Sequence, residues 1–201
     1  MKSWTIKHLV FVAVLLSPFA HATDHSIDIQ PDNLYPQVEL DTSMGKIVVE
    51  LDRSRAPLTV DNFLTYVATG HYNNTLFHRV IADFVVQGGG LDLTQQERPT
   101  AAPIINESGN GLSNLIGTIA MARENAPHTA TSQFYFNIAD NKKLDPSSRR
   151  WGYAVFGEVV AGMDVLAAMS IVPSEFNNTL GWADFPVKDI VLKQATLLPR
   201  E

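Results

Sequence analysis

Short apolar runs of period two, separated by turn residues, recur along most of the chain and predict a protein built mainly of strands. Residues 37–41 and 46–51 read as strands joined by the turn Thr42-Ser43-Met44-Gly45. The second, Ile47-Val48-Val49-Glu50-Leu51, is rich in the β-branched residues that suit a pleated, half-buried surface. The period then changes. Val60, Phe63, Leu64 and Val67 fall at i, i+3, i+4 and i+7, Pro57 suits a first helical turn, and Gly70 is placed for a left-handed cap. Between Phe77 and Gly89, two apolar runs flank an Asp-containing turn, which predicts a hairpin with Arg79 on one arm and Gln87 on the other. Alternation sets Val85 and Gln87 on one face and Val86 on the opposite one.

Residues 88–113 are polar and rich in Gly, Pro and Asn, and read as a long loop that is either functional or crosses a barrel end. Strands are expected again at residues 117–122 and 133–138. In the latter, Phe134, Phe136 and Ile138 face a core, and Gln133, Tyr135 and Asn137 form a polar-aromatic face. A strand over residues 153–160 carries Gly157 as a bulge or point of close approach. Gly162 opens a second helix with Met163, Val165, Leu166 and Met169 as its apolar stripe, and residues 187–198 form a last strand. Strand–helix alternation does not repeat, so the fold class expected is all-β, an antiparallel barrel with a helix over each end.

The amino terminus changes the picture. Lys2 and Lys7 precede an apolar run from Leu9 to Phe19, and Ala20-His21-Ala22 offers a small-x-small cleavage site, so residues 1–22 read as a cleaved signal peptide. That run is too short to span a bilayer comfortably, and stable membrane insertion is not expected. Residues 23–36 are read as a flexible leader and residues 37–199 as one domain. With no cysteine, the chain has no disulfide framework, no thiol nucleophile and no lipid-bearing anchor, which fits a periplasmic location. A formal charge of −6, without a basic stripe, argues against nucleic acid as a partner.

Candidate chemistry is sparse. His71, His78 and His128 lack the spacing of metal ligands, and no metal is expected. Gly88-Gly89-Gly90 is followed by no Gly-Lys-Ser/Thr, and no Gly-x-Ser-x-Gly elbow occurs. An enzyme with no nucleophile, no general base and no cofactor suits rotation about a peptide bond. The amide barrier is about 18–20 kcal/mol, and X-Pro bonds populate both isomers. A guanidinium aimed at the prolyl nitrogen stabilises the twisted, pyramidal state more than the planar one.

Several motifs in order then carry a resemblance: Phe77-His78-Arg79-Val80-Ile81 with Phe84 and Gln87-Gly88-Gly89; Met121-Ala122 followed by Ser132-Gln133-Phe134-Tyr135; and Tyr153-Ala154-Val155-Phe156-Gly157 leading into Gly162-Met163. The chain resembles the cyclophilin family of peptidyl-prolyl cis–trans isomerases, in its bacterial periplasmic branch, from about residue 37 to 198. The resemblance implies an eight-stranded antiparallel barrel capped by two helices, acting without cofactor, as a monomer, on proline-containing unfolded or exported polypeptides. It also implies roles. Arg79 matches the catalytic arginine, Gln87 the glutamine that positions it, and Phe84, Val85, Tyr135 and Leu144 the proline pocket, with Met121 at its edge. Ala122 and Arg123 match the strand exit that pairs with substrate, and Gln133 a groove-lining residue. Tyr153 stands where eukaryotic members carry a histidine. Lys143 replaces the tryptophan that anchors cyclosporin in many members, so weak binding of that drug is expected. Two rivals stay open: a binding protein using the same groove, and a hollow, lipocalin-type barrel.

Overall fold

The computed structural model describes Met1 and residues 27–200; apart from Met1, the expected signal segment lies outside the described residues. Ten strands and two helices follow in order: β1 Gln37–Thr42, β2 Gly45–Leu51, α1 Pro57–Ala68, β3 Thr75–Ile81, β4 Val85–Asp92, β5 Thr118–Met121, β6 Phe134–Asn137, β7 Val155–Ala161, α2 Met163–Ser170, β8 Ser174–Asn177, β9 Trp182–Pro186 and β10 Ile190–Leu197. Eight of the strands close a barrel in the order β1-β10-β3-β4-β6-β5-β7-β2, with β8 and β9 forming a separate two-stranded sheet. Every neighbouring pair in the barrel is antiparallel. Closure leaves the barrel itself without a free edge. The all-β barrel with two helices is thus the architecture that the periods predict.

Inward-facing Val38, Leu40, Ile47, Val49, Phe134 and Phe136 join Val60, Phe63 and Leu64 of α1 and Leu166 and Met169 of α2 in one core. Phe63 lies 5.0 Å from Tyr72, 5.5 Å from Phe134 and 5.2 Å from Phe156, centroid to centroid. A barrel filled by tilted and edge-on rings has no room for a ligand inside, which removes the lipocalin-type reading.

Helix α1 begins after Ala56, which provides no side-chain cap. The missing acceptors come from the long connection: Glu107 accepts from the backbone N–H groups of Leu58 (3.2 Å) and Thr59 (2.8 Å) and from the Thr59 hydroxyl (2.7 Å). A carboxylate there also meets the positive end of the helix dipole. At the other end Gly70 takes φ +70°, while its N–H reaches Val67 O and that of His71 reaches Tyr66 O, a Schellman closure.

Two stretches differ from expectation. Residues 88–92, read as loop, belong to β4. Their glycines are there for close approach: a Cβ on Gly89 would lie 2.9 Å from the rings of Phe134 and Tyr72, and one on Gly90 would lie 2.7 Å from the Gln133 side chain. Residues 29–36, assigned to a flexible leader, are instead fastened to the domain. The guanidinium of Arg53, only 6% exposed, donates to the carbonyls of Ile29 (2.7 Å), Gln30 (2.6 Å) and Asn33 and to Asp61 Oδ1 (2.8 Å). Gln30 Nε2 adds a bond to Leu198 O at 2.7 Å. Buried donors need acceptors, and Arg53 finds them in this segment.

Candidate active site

The β3–β4 hairpin carries the central pair, with Arg79 directly opposite Gln87. Strict alternation would put Phe77 and Arg79 on one face. An extra residue, His78, interrupts the register between them, so Phe77 and Val80 both point into the core while Arg79 is turned outward. Arg79 Nη1 donates to Gln87 Oε1 at 3.3 Å, and Gln87 Nε2 donates to Gln133 Oε1 at 2.9 Å. The guanidinium is therefore held from one side by a chain of two glutamines. His78, the residue before Arg79, is buried, and that burial lowers its imidazole pKa to about 4, so its ring is neutral at neutral pH.

Next to Arg79 lies an apolar recess on the outside of the barrel. Val85, Ala120, Tyr135 and Val155 form a cluster separate from the core, with Phe84, Ala122, Leu144 and Tyr153 packed against it. Phe84 follows Asp83, whose φ of +54° makes the hairpin turn. Its carbonyl accepts from the N–H of Ile138 (2.9 Å) and the amide of Asn141 (2.8 Å), so the ring is carried on a fixed backbone. Lys143 Nζ lies 4.7 Å above that ring.

A buried amide network supports the recess from below. Asn114 Oδ1 accepts from the Tyr135 hydroxyl (2.7 Å) and from Asn137 Nδ2 (3.1 Å), and Asn114 Nδ2 donates to Asp145 Oδ1 (2.9 Å). Asn141 Nδ2 donates to Asn137 Oδ1 at 2.9 Å, and the Asn141 carbonyl accepts from the N–H of Leu144 at 2.7 Å. Burial raises the Tyr135 phenol well above its ordinary pKa, so it remains a donor. Floor and wall are thereby set relative to each other by satisfied hydrogen bonds.

These groups line one cleft of about 650 Å³. Arg79, Phe84, Val85, Gln87, Ala122 and Arg123 lie along it, as do Gln133, Tyr135, Leu144 and Tyr153. Met121 does not. It is 1% exposed and belongs to the barrel core with Ile119, while Ala120 between them faces the recess. Alternation along β5 turns Met121 inward. The side chain of Arg123 folds back over the Tyr153 ring at 4.5 Å and donates to the carbonyls of Gly152 (3.1 Å) and Trp151 (2.9 Å), bracing the strand exit. The sequence reading missed His78, Glu97, Trp182 and Asp184, which also line the cleft. The last two come from β9, and Asp184 Oδ2 lies 4.0 Å from Arg79 Nε.

A cation fixed beside a preformed apolar recess can hold a small ring and place a donor against it. A model of the family described as cyclophilin type peptidyl-prolyl cis-trans isomerase/CLD matches residues 37–197. The chain belongs to this family, and it is an isomerase. A peptidyl-prolyl cis-trans isomerase of Streptomyces antibioticus is 50% identical over 164 residues, covering 80% of this chain and 98% of the relative. Peptidyl-prolyl cis-trans isomerase B of Escherichia coli K12 is 44% identical over 163 residues, covering 80% and 98%. Among solved structures, a cyclophilin type isomerase of Cryptosporidium parvum superposes with a TM-score of 0.68 at 25% identity, covering 83% of this chain and 99% of its own. The same protein was solved in the presence of the dipeptide Ala-Pro (TM-score 0.67, 25% identity).

Proposed function

We propose that this isomerase accelerates X-Pro rotation in unfolded or newly exported polypeptides in the periplasm, with Arg79 stabilising the twisted amide. The observation that carries the reading is the position of the Arg79 guanidinium, tethered by Gln87 at 3.3 Å, beside the recess floored by Val85 and Tyr135. The recess holds the prolyl ring still between Phe84, Leu144 and Tyr153. As the bond twists, conjugation is lost and the lone pair localises on the prolyl nitrogen, where the guanidinium meets it. Because that interaction is stronger in the twisted state than in the planar one, it lowers the barrier rather than only tightening binding. A reduction of about 7 kcal/mol gives on the order of 10⁵-fold. Gln87 keeps the cation aimed and offers its amide to the substrate carbonyl.

The Ala-Pro dipeptide used with the Cryptosporidium relative supports a prolyl ligand for this recess. The Lys2/Lys7 region, apolar run and Ala20-His21-Ala22 site support export, and Lys143 above Phe84 supports weak cyclosporin binding. No cofactor enters this chemistry, and the protein acts as a monomer. The test is isomerisation of an Ala-Pro peptide by protein purified from the periplasmic fraction, with its amino terminus read by mass spectrometry. Turnover above the uncatalysed rate by a chain beginning at Thr23 is expected; peptide binding without turnover would make the cleft a binding site only.

A further inference from the structure

β8 and β9 stand outside the barrel, and β9 supplies the wall of the cleft that faces Arg79. Trp182 packs on His78 with centroids 5.5 Å apart, and Asn177 Nδ2 donates to Gln95 Oε1 at 2.9 Å, so the hairpin is fixed at both its turn and its second strand. Asp184 takes φ +61°, in the left-handed region that side chains other than glycine rarely adopt. Its carboxylate and the Arg79 guanidinium are each about two-fifths exposed (41% and 40%) and 4.0 Å apart, too far for a hydrogen bond. Glu97 is a second acid lining the same cleft. The cations on the recess wall are placed differently: Lys143 lies over Phe84, and Arg123 over Tyr153 with its donors occupied by backbone carbonyls.

We propose that Asp184 is a specificity-determining residue, making the cleft favour proline-containing segments that carry Lys or Arg beside the X-Pro bond and disfavour those with Asp or Glu there. The proposal rests on the isomerase reading of the cleft. A single guanidinium offsets part of the Asp184 charge, and Glu97 gives the cleft lining a second carboxylate. Once the prolyl nitrogen engages Arg79, the face of Asp184 turned toward the peptide is left for a flanking cation. At partial exposure such an attraction corresponds to about five- to tenfold in rate constant and weakens with salt.

The experiment measures kcat/KM of the full chain on peptides with Lys, Gln or Glu placed in turn at the two positions on either side of X-Pro. At one or more of these positions, Lys is preferred over Glu by about five- to tenfold at low salt, falling toward unity at high salt. Asp184→Asn collapses that ratio, Asp184→Glu keeps it, and Asp184→Lys reverses it. Each ratio is internal to one protein, so a general loss of activity does not move it. The proposal is overturned if Asp184→Asn retains the wild-type ratio, or if no position distinguishes Lys from Glu. Absence of turnover on the Gln series would instead overturn the isomerase reading itself.

Discussion

Removing the Asn114 side chain tests whether the floor of the recess is held by the network beneath it. Asn114 is fully buried, and its amide receives the Tyr135 hydroxyl at 2.7 Å and Asn137 at 3.1 Å while donating to Asp145 at 2.9 Å. In Asn114→Ala, Asn137 keeps Thr118 Oγ1 as a partner at 2.9 Å, and Asp145 keeps the backbone N–H of residue 114 at 2.7 Å. The Tyr135 hydroxyl keeps nothing. A buried, unpartnered hydroxyl costs about 1–3 kcal/mol, and with the lost bond to Asp145 the total is about 2–4 kcal/mol. That is a large share of a typical stability of about 5–15 kcal/mol. The diagnostic quantity is a coupling. Tyr135→Phe in the otherwise native protein removes one bond and costs about 1 kcal/mol, since Asn114 still accepts from Asn137. In the Asn114→Ala background the same change removes an orphan and stabilises by about 1 kcal/mol, giving an interaction energy of about 2 kcal/mol. Urea unfolding of the four proteins followed by fluorescence reads this directly, provided the slope with denaturant is unchanged. Equal cost of Tyr135→Phe in both backgrounds would mean that the Tyr135 hydroxyl does not depend on Asn114.

Three further outcomes follow from the same structure. Glu107→Ala removes the acceptors at the first turn of α1 and lowers stability by about 1–2 kcal/mol, with part regained in Glu107→Gln, as thermal unfolding will show. His78 has a pKa lowered to about 4 by burial, so the unfolded chain binds a proton between about pH 6.5 and 4 that the folded chain does not. Stability is therefore fully present above pH 6.5 and falls by up to about 1.4 kcal/mol per pH unit as acid is added, a slope that urea midpoints should show reduced in His78→Gln; His71, shifted the same way mainly by burial, leaves some slope behind. Lys143→Trp replaces the cation over Phe84 with apolar surface and tightens cyclosporin inhibition by about tenfold or more, measured by titration of isomerase activity.

What could be read in the sequence followed from local period. The α1 stripe of Val60, Phe63, Leu64 and Val67 is buried, and Phe134 and Phe136 separate from Tyr135 as alternation requires. That Arg79 and Gln87 lie on the two arms of one hairpin was legible from the turn between two apolar runs; that they stand directly opposite is set by the register of β3 and β4. The bulge at His78 was not legible, because an inserted residue leaves no signature in the local order of side chains and shows only once the partner strand is paired. The resemblance places Met121 at the edge of the recess, whereas alternation with Ala120 along β5 turns it into the core. The β8–β9 hairpin escaped notice for a different reason. Its strands are short, β8 is almost wholly exposed and only Phe185 and Pro186 are buried in β9, so they carry no hydrophobic period. The meeting of Asp184 with Arg79 depends on that hairpin folding back across β3, a tertiary event that neither segment encodes alone.

In the proposed mechanism Arg79 acts on the twisted amide rather than on binding. Isomer exchange of a saturating Ala-Pro peptide, measured by NMR exchange spectroscopy beside its Kd, tests this directly. Arg79→Ala is expected to slow exchange in the saturated complex by about 100-fold or more, a loss of at least about 2.7 kcal/mol of differential stabilisation, while Kd moves by less than about tenfold. Exchange in the saturated Arg79→Ala complex as fast as in the native one, with Kd alone weakened, would contradict that mechanism.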